Sequence, residues 1–164
     1  MISAFDLVKV GIGPSSSHTT GPMKAAAAFV AALDGQDRAR IKGLRATLLG
    51  SLAGTGKGHA TDKVITLGLS GQSPETLDPD KADEIVKKIA ETRQLVLPTG
   101  ESLSSDPARY IVFDFDTVPP SYPNTMRFVA LDGGDEVLRE ETWFSSQLTR
   151  LFSPFLSRSG ARLN

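Results

Sequence analysis

Cysteine is absent from all 164 residues. Disulfides, thiol nucleophiles and thiolate-held metals are therefore excluded within this chain, and only a partner could bring them. Histidine is nearly as scarce, with His18 and His59 the only two, so no dense set of metal ligands can be assembled from the usual nitrogen and sulfur donors. Neither sign of charge is in excess: 18 Lys and Arg stand against 19 Asp and Glu, for a formal charge of −1. No large positive field exists to hold nucleic acid or anionic lipid. No apolar run approaches the roughly 18 residues of a membrane-spanning helix, and the first residues lack the basic and long apolar regions of a secretory leader. The expected partners therefore include neither nucleic acid nor membrane, and the expected compartment is the cytoplasm. What is present, 40% hydrophobic and 23% charged residues, suits one globular core.

Glycine and proline divide the chain. The polar loop Gly11-Ile12-Gly13-Pro14-Ser15-Ser16-Ser17-His18-Thr19-Thr20-Gly21 runs into Pro22 and an alanine-rich helix that Asp34-Gly35 ends. Residues 43–53 form a strand with Leu44, Ala46 and Leu48 on one side. A second glycine-rich loop over residues 54–62 leads into Lys63–Leu69. Asp78 and Pro79 suit the N-cap and first turn of a further helix, with Ala82, Ile85, Val86 and Ile89 on one face. Tyr110–Phe115 is a strand by composition, and Met126–Leu131 with Glu136–Phe144 form a hairpin across Asp132–Asp135. The order predicts an α+β fold, a mostly antiparallel four-stranded sheet with helices on one face. Residues 146–164 differ in composition, carrying Arg150, Arg158 and Arg162 and no acid. They form an atypical tail expected to be a poorly ordered end, or else a partner-docking segment that Pro154 keeps from being a helix.

Both histidines fall in the glycine-rich loops. Imidazole exchanges protons near neutrality, and glycine lets backbone N–H groups approach a small ligand. Alternatively, each histidine merely caps a turn. Ser15, Ser16, Ser17, His18 and Thr19 precede a helix start, where free N–H groups favour a carboxylate or phosphate, although plain capping by the same hydroxyls accounts for them equally. Lys57 sits in Gly-Lys-Gly-His rather than in a phosphate loop, because Gly58 stands where a hydroxyl for magnesium would be needed. Lys57 can still hold an anion. Asp114 and Asp116 alternate on a strand and are expected at an exposed edge rather than around a metal; Met126 and Phe128 are expected in the core.

The run Phe5 to Ala26, with its Ser-Ser-Ser-His-Thr-Thr-Gly-Pro-Met core, followed by Gly50–Asp62 with Gly-Thr-Gly-Lys-Gly-His, resembles the N-terminal β domain of bacterial iron–sulfur L-serine dehydratases (L-serine ammonia-lyases). Pro123–Met126, Gly134–Val137 and Glu141–Ser145 resemble later landmarks of the same domain. The resemblance places that β domain in residues 1–145 and implies a fold similar to the allosteric substrate-binding domain of phosphoglycerate dehydrogenase. It implies conversion of L-serine to pyruvate and ammonia with a [4Fe–4S] cluster held by a separate α domain or subunit and none bound by this chain. By the same resemblance His59 and His18 are catalytic, and Ser15, Ser16, Ser17, Thr19, Lys57 and Asn124 bind substrate or anion. Tyr122 stands where the family has a histidine two residues before its asparagine, and a phenol titrating near 10 is a poor base at neutral pH. The expected partners are L-serine and the cluster-bearing α part, with a homodimer open to such a chain; by itself the chain is expected to be inactive. The alternative left by the residues is a small-anion or amino-acid regulatory module without catalysis.

Overall fold

The computed structural model describes residues 20–33, 35–55, 61–75, 77–104, 110–117, 124–145 and 153–156. In chain order the elements are α1 (Thr20–Ala31), α2 (Gly35–Arg40), β1 (Gly43–Gly50), α3 (Ser51–Thr55), α4 (Thr61–Leu69) and α5 (Pro79–Thr92). They are followed by β2 (Gln94–Val96), β3 (Ser102–Ser104), β4 (Ile111–Asp114), β5 (Asn124–Leu131), β6 (Val137–Ser145) and β7 (Ser153–Leu156). The principal sheet has the order β4-β1-β5-β6-β7, and β2 and β3 form a separate hairpin.

The α+β class and the strands β1, β4, β5 and β6 agree with the sequence expectations. Three of the four strand pairs of the sheet are antiparallel, as expected, but the sheet is mixed: β1 and β4 run parallel, with Ala46 opposite Ile111 and Leu49 opposite Asp114. A parallel pair needs a long crossover, and α3, α4 and α5 lie between these strands. β7 adds a fifth strand, pairing antiparallel with β6 from Glu141 opposite Leu156 to Phe144 opposite Ser153. Four residues expected at a loose end are thus in the sheet. Pro154 is tolerated there because β7 is an edge.

Alternation determines what each face buries. Leu44, Ala46 and Leu48 of β1 lie beside Ala130, Phe128 and Met126 of β5, and all are buried together with Ala26, Phe29, Leu52 and Ile65 of the helices. Phe29 stacks on Phe128 with ring centroids 5.3 Å apart, fixing α1 to the middle of the sheet. Helix α4 crosses α1 where Gly68 meets it: a Cβ on Gly68 would lie 2.7 Å from the Ala26 Cβ and closer still to the Met23 carbonyl oxygen. Asp78 caps α5 by accepting from the Asp80 N–H at 3.0 Å, with Pro79 in the first turn. Ala82 and Ile89 are buried on its apolar face, with Ile85 and Val86 partly so. The sequence strand 43–53 is shorter than expected: β1 ends at Gly50, whose φ of 60° turns the chain into α3.

Candidate functional site at one end of the sheet

The strand registers bring chemistry to one end of the sheet. β1 finishes at Gly50, opposite Asn124, the first residue of β5. Asn124 in turn lies opposite Ser145, the last residue of β6, and β4 ends at Asp114 beside Leu49. Helix α3 leaves this end directly from Gly50, so Asn124 sits at the base of the segment that carries the second glycine-rich loop. Its side chain is held from that segment: Ser51 Oγ donates to Asn124 Oδ1 at 2.6 Å. With Oδ1 accepting from Ser51, what the Asn124 amide has to offer a ligand is its N–H donors, suited to a carboxylate or hydroxyl oxygen.

Asp114 shares this end. It accepts hydrogen bonds from the backbone N–H groups of Thr117 and Asp116 at 2.9 and 3.0 Å. These bonds, the Thr117 contact foremost, hold its carboxyl below the ordinary aspartate value, with a smaller contribution from the Arg127 charge. Asp114 lies on the edge strand β4, as expected, but the strand ends there and Asp116 falls in the bend that follows, so the two do not alternate along a strand and Asp114 instead closes the turn. No cluster of three or more His, Cys, Asp or Glu suited to a metal occurs among the described residues.

Of the site residues expected from sequence, Asn124 is described. His18, Ser15, Ser16, Ser17 and Thr19 lie outside the described residues, as do Lys57, His59 and Tyr122. What the structure gives for both loops is the elements that receive them. Residues 11–19 precede α1, whose first turn holds no acid. Residues 56–60 join α3 to α4, which begins at the fully buried Thr61. Since α1 is stacked on β5 and α4 packs closely on α1 at Gly68, the elements that receive both loops are packed on the sheet that carries Asn124.

Sequence reasoning missed Ser51, because residues 51–53 continue an apolar alternation that looks like strand; the signal was Gly50, a helix entry rather than a strand interior. It also missed the hydroxyl pair of Thr66 and Tyr110, whose oxygens are 2.7 Å apart across 44 residues of chain. An open groove of about 700 Å³ between α2 and the β2–β3 hairpin carries Arg38, Lys42 and Glu101 at its edge, but none of its polar side chains is buried.

Residues 3–146 match the family model described as the serine dehydratase beta chain. The chain belongs to that family. It is 39% identical over 153 residues to L-serine dehydratase TdcG of Escherichia coli (strain K12), covering 88% of this chain and 32% of that protein. It is 42% identical over 149 residues to an L-serine dehydratase of Mycobacterium bovis, covering 88% of this chain and 31% of the relative, and 36% identical over 143 residues to one of Helicobacter pylori, covering 87% and 31%. The chain therefore spans about a third of the length of the curated relatives it matches.

Proposed function

We propose that this chain is the β part of an L-serine dehydratase, converting L-serine to pyruvate and ammonia together with a cluster-bearing α domain or subunit. The observation that carries this is the family match over residues 3–146, which includes both histidine loops. A [4Fe–4S] cluster, which the family resemblance implies, does not fit the donors of this chain: cysteine is absent throughout and thiolates are the usual anchors. The cluster belongs to the α part, and the β part supplies the surroundings of the substrate.

The reaction removes a weakly acidic Cα proton and expels a hydroxyl, giving an enamine that tautomerises to an imine and hydrolyses. Proton transfer needs a group titrating near neutrality, and His59, preceded by Gly58, is assigned that role at the substrate hydroxyl. Ser15, Ser16, Ser17, Thr19 and Lys57 hold the substrate carboxylate, with His18 contributing chiefly to binding. The Asn124 amide, oriented by Ser51, donates to a substrate oxygen. Tyr122, where the family has histidine, leaves base catalysis to His59 or the α part. The protein is assigned to the cytoplasm; no helix among the described residues is long and apolar enough to cross a membrane. A fold similar to the allosteric substrate-binding domain of phosphoglycerate dehydrogenase is part of the same proposal.

The test is co-expression with a cluster-bearing α part, anaerobic reconstitution and assay of pyruvate from L-serine. Turnover that requires both parts supports the proposal. A folded mixture with an intact cluster and no turnover would instead favour the regulatory module, and amide shifts at Ser15–Thr20 in millimolar serine or phosphate would identify its anion site.

A further inference from the structure

A cavity of about 210 Å³ lies between α4, α5 and β4, and neither Ser51 nor Asn124 lines it. At roughly 30 Å³ per water molecule it offers the space of about seven waters, enough for a small organic molecule and too little for a nucleotide. Val86 and Ile89 of α5 and Ile111 and Phe113 of β4 supply apolar walls. Its polar lining comes from Asp62, Lys63, Thr66 and Tyr110.

The protons on the hydroxyl pair can be assigned. Thr66 Oγ1 donates to the Asp62 carbonyl one turn back, at 2.9 Å, and lies 2.7 Å from the Tyr110 hydroxyl oxygen. A threonine hydroxyl has a single proton. With that proton on the carbonyl, Tyr110 is the donor in the second bond, and its oxygen retains only lone pairs. Both residues are buried, Thr66 at 4% and Tyr110 at 5% exposure. Burial pushes the Tyr110 phenol upward and the Asp62 carboxylate pushes it the same way, against the Thr66 bond. Asp62 lines the same cavity as Tyr110. The polar end of the cavity offers a neutral acceptor and an anionic one.

We propose that this cavity binds a small aliphatic amine, its ammonium held by the Tyr110 oxygen and the Asp62 carboxylate and its branched hydrocarbon body against Val86, Ile89, Ile111 and Phe113. An ammonium has three donors and no acceptor, which complements acceptors without a spare proton. Lys63 repels a bare amine and attracts a carboxylate. A compound carrying both groups, as an aliphatic α-amino acid does, therefore matches the whole rim. The proposal is independent of the lyase activity, since a chain that never supports turnover would still hold this ligand.

Titration of the isotopically labelled 164-residue chain with isoamylamine, L-leucine and isovalerate, read by assigned amide resonances, tests it. L-leucine or isoamylamine should shift Thr66, Ile89 and Ile111, while isovalerate, with the same branched body and an anionic head, should not. The tighter of the two binders tells whether a free amine or an amino acid is the natural source. Tyr110→Phe, which keeps the ring, should weaken binding by about tenfold to a hundredfold, and Asp62→Asn should weaken it as well. No shift with either ammonium compound at millimolar concentration, equal shifts with isovalerate, or an unchanged affinity in folded Tyr110→Phe would overturn it.

Discussion

Glu141 shows how a single side chain can be costly to bury and still hold a strand. It is 3% exposed on the core face of β6, opposite Phe128. Its Oε1 accepts from Arg139 Nε and Nη2 at 3.0 and 2.7 Å, and its Oε2 accepts from Trp143 Nε1 at 2.9 Å. Arg139, Glu141 and Trp143 share one face because strand side chains alternate, so a run of residues on one strand satisfies its own buried charge. Glu141→Ala leaves the Arg139 and Trp143 donors without their acceptor and should lower stability by about 2–3 kcal/mol, the partial exposure of Arg139 softening the loss. A chemical-denaturation midpoint unchanged from the parent would show that the three residues contribute nothing.

Tyr110 gives a pH prediction at the same scale. Its folded pKa is raised above the ordinary value of 10.0, chiefly by burial. The folded chain keeps a proton that the unfolded chain releases, so the contribution of Tyr110 is complete below about pH 10 and is lost as pH climbs through the raised folded value. Thermal unfolding between pH 8 and 11 should show a steeper alkaline decline in the parent than in Tyr110→Phe. For the histidines, His59→Ala in a reconstituted enzyme should reduce kcat by about 10²–10⁴, whereas His18→Ala should mainly raise KM. Near-normal kcat in His59→Ala would move the proton transfers to the α part.

At the scale of elements, the junction between α1 and α4 carries the sharpest prediction. Glycine inside a helix ordinarily costs about 0.5–1 kcal/mol relative to alanine, so in an open site Gly68→Ala would stabilise. Here the added methyl meets the Met23 carbonyl and Ala26, and the two helices must separate. A net destabilisation of about 1–3 kcal/mol is expected. A raised melting temperature in Gly68→Ala would mean that the helices are not in this contact.

Elements were legible where local signals and burial agree. Asp78 with Pro79 marked the start of α5 to the residue, and the hairpin across Asp132–Asp135 followed from its turn composition; Asp132 Oδ1 accepts from the N–H groups of Gly134 and Glu136. Three features were hidden because their causes are not local. The parallel pairing of β1 with β4 depends on a crossover of some sixty residues, β2 and β3 are too short for an alternation to declare itself, and β7 contains a proline that only its edge position accommodates. Of the candidate site, Asn124 was named from its motif. Its partner Ser51 was not, because Gly50 opposite Asn124 is a fact of strand register rather than of sequence spacing.

On the scale of the whole molecule, the sheet acts as a frame whose helices and loops are tied to one another. Phe29 on Phe128 and Gly68 on α1 fix the helices that receive both glycine-rich loops, and Asn124 is set into the same sheet. Under the proposed function, such a frame would present polar groups to the substrate. The absence of cysteine leads to a separate expectation: the purified chain, prepared anaerobically, should carry no iron–sulfur absorbance, and a stoichiometric cluster would refute the assignment of all thiolate ligands to the α part.

Anaerobic reconstitution with a cluster-bearing α part, assayed for pyruvate from L-serine, tests the division of labour most directly. Activity should arise only when both parts are present and should fall with His59→Ala while the cluster spectrum stays intact. Equal turnover by the α part alone, or none from a mixture in which both parts are folded and the cluster is full, would contradict it.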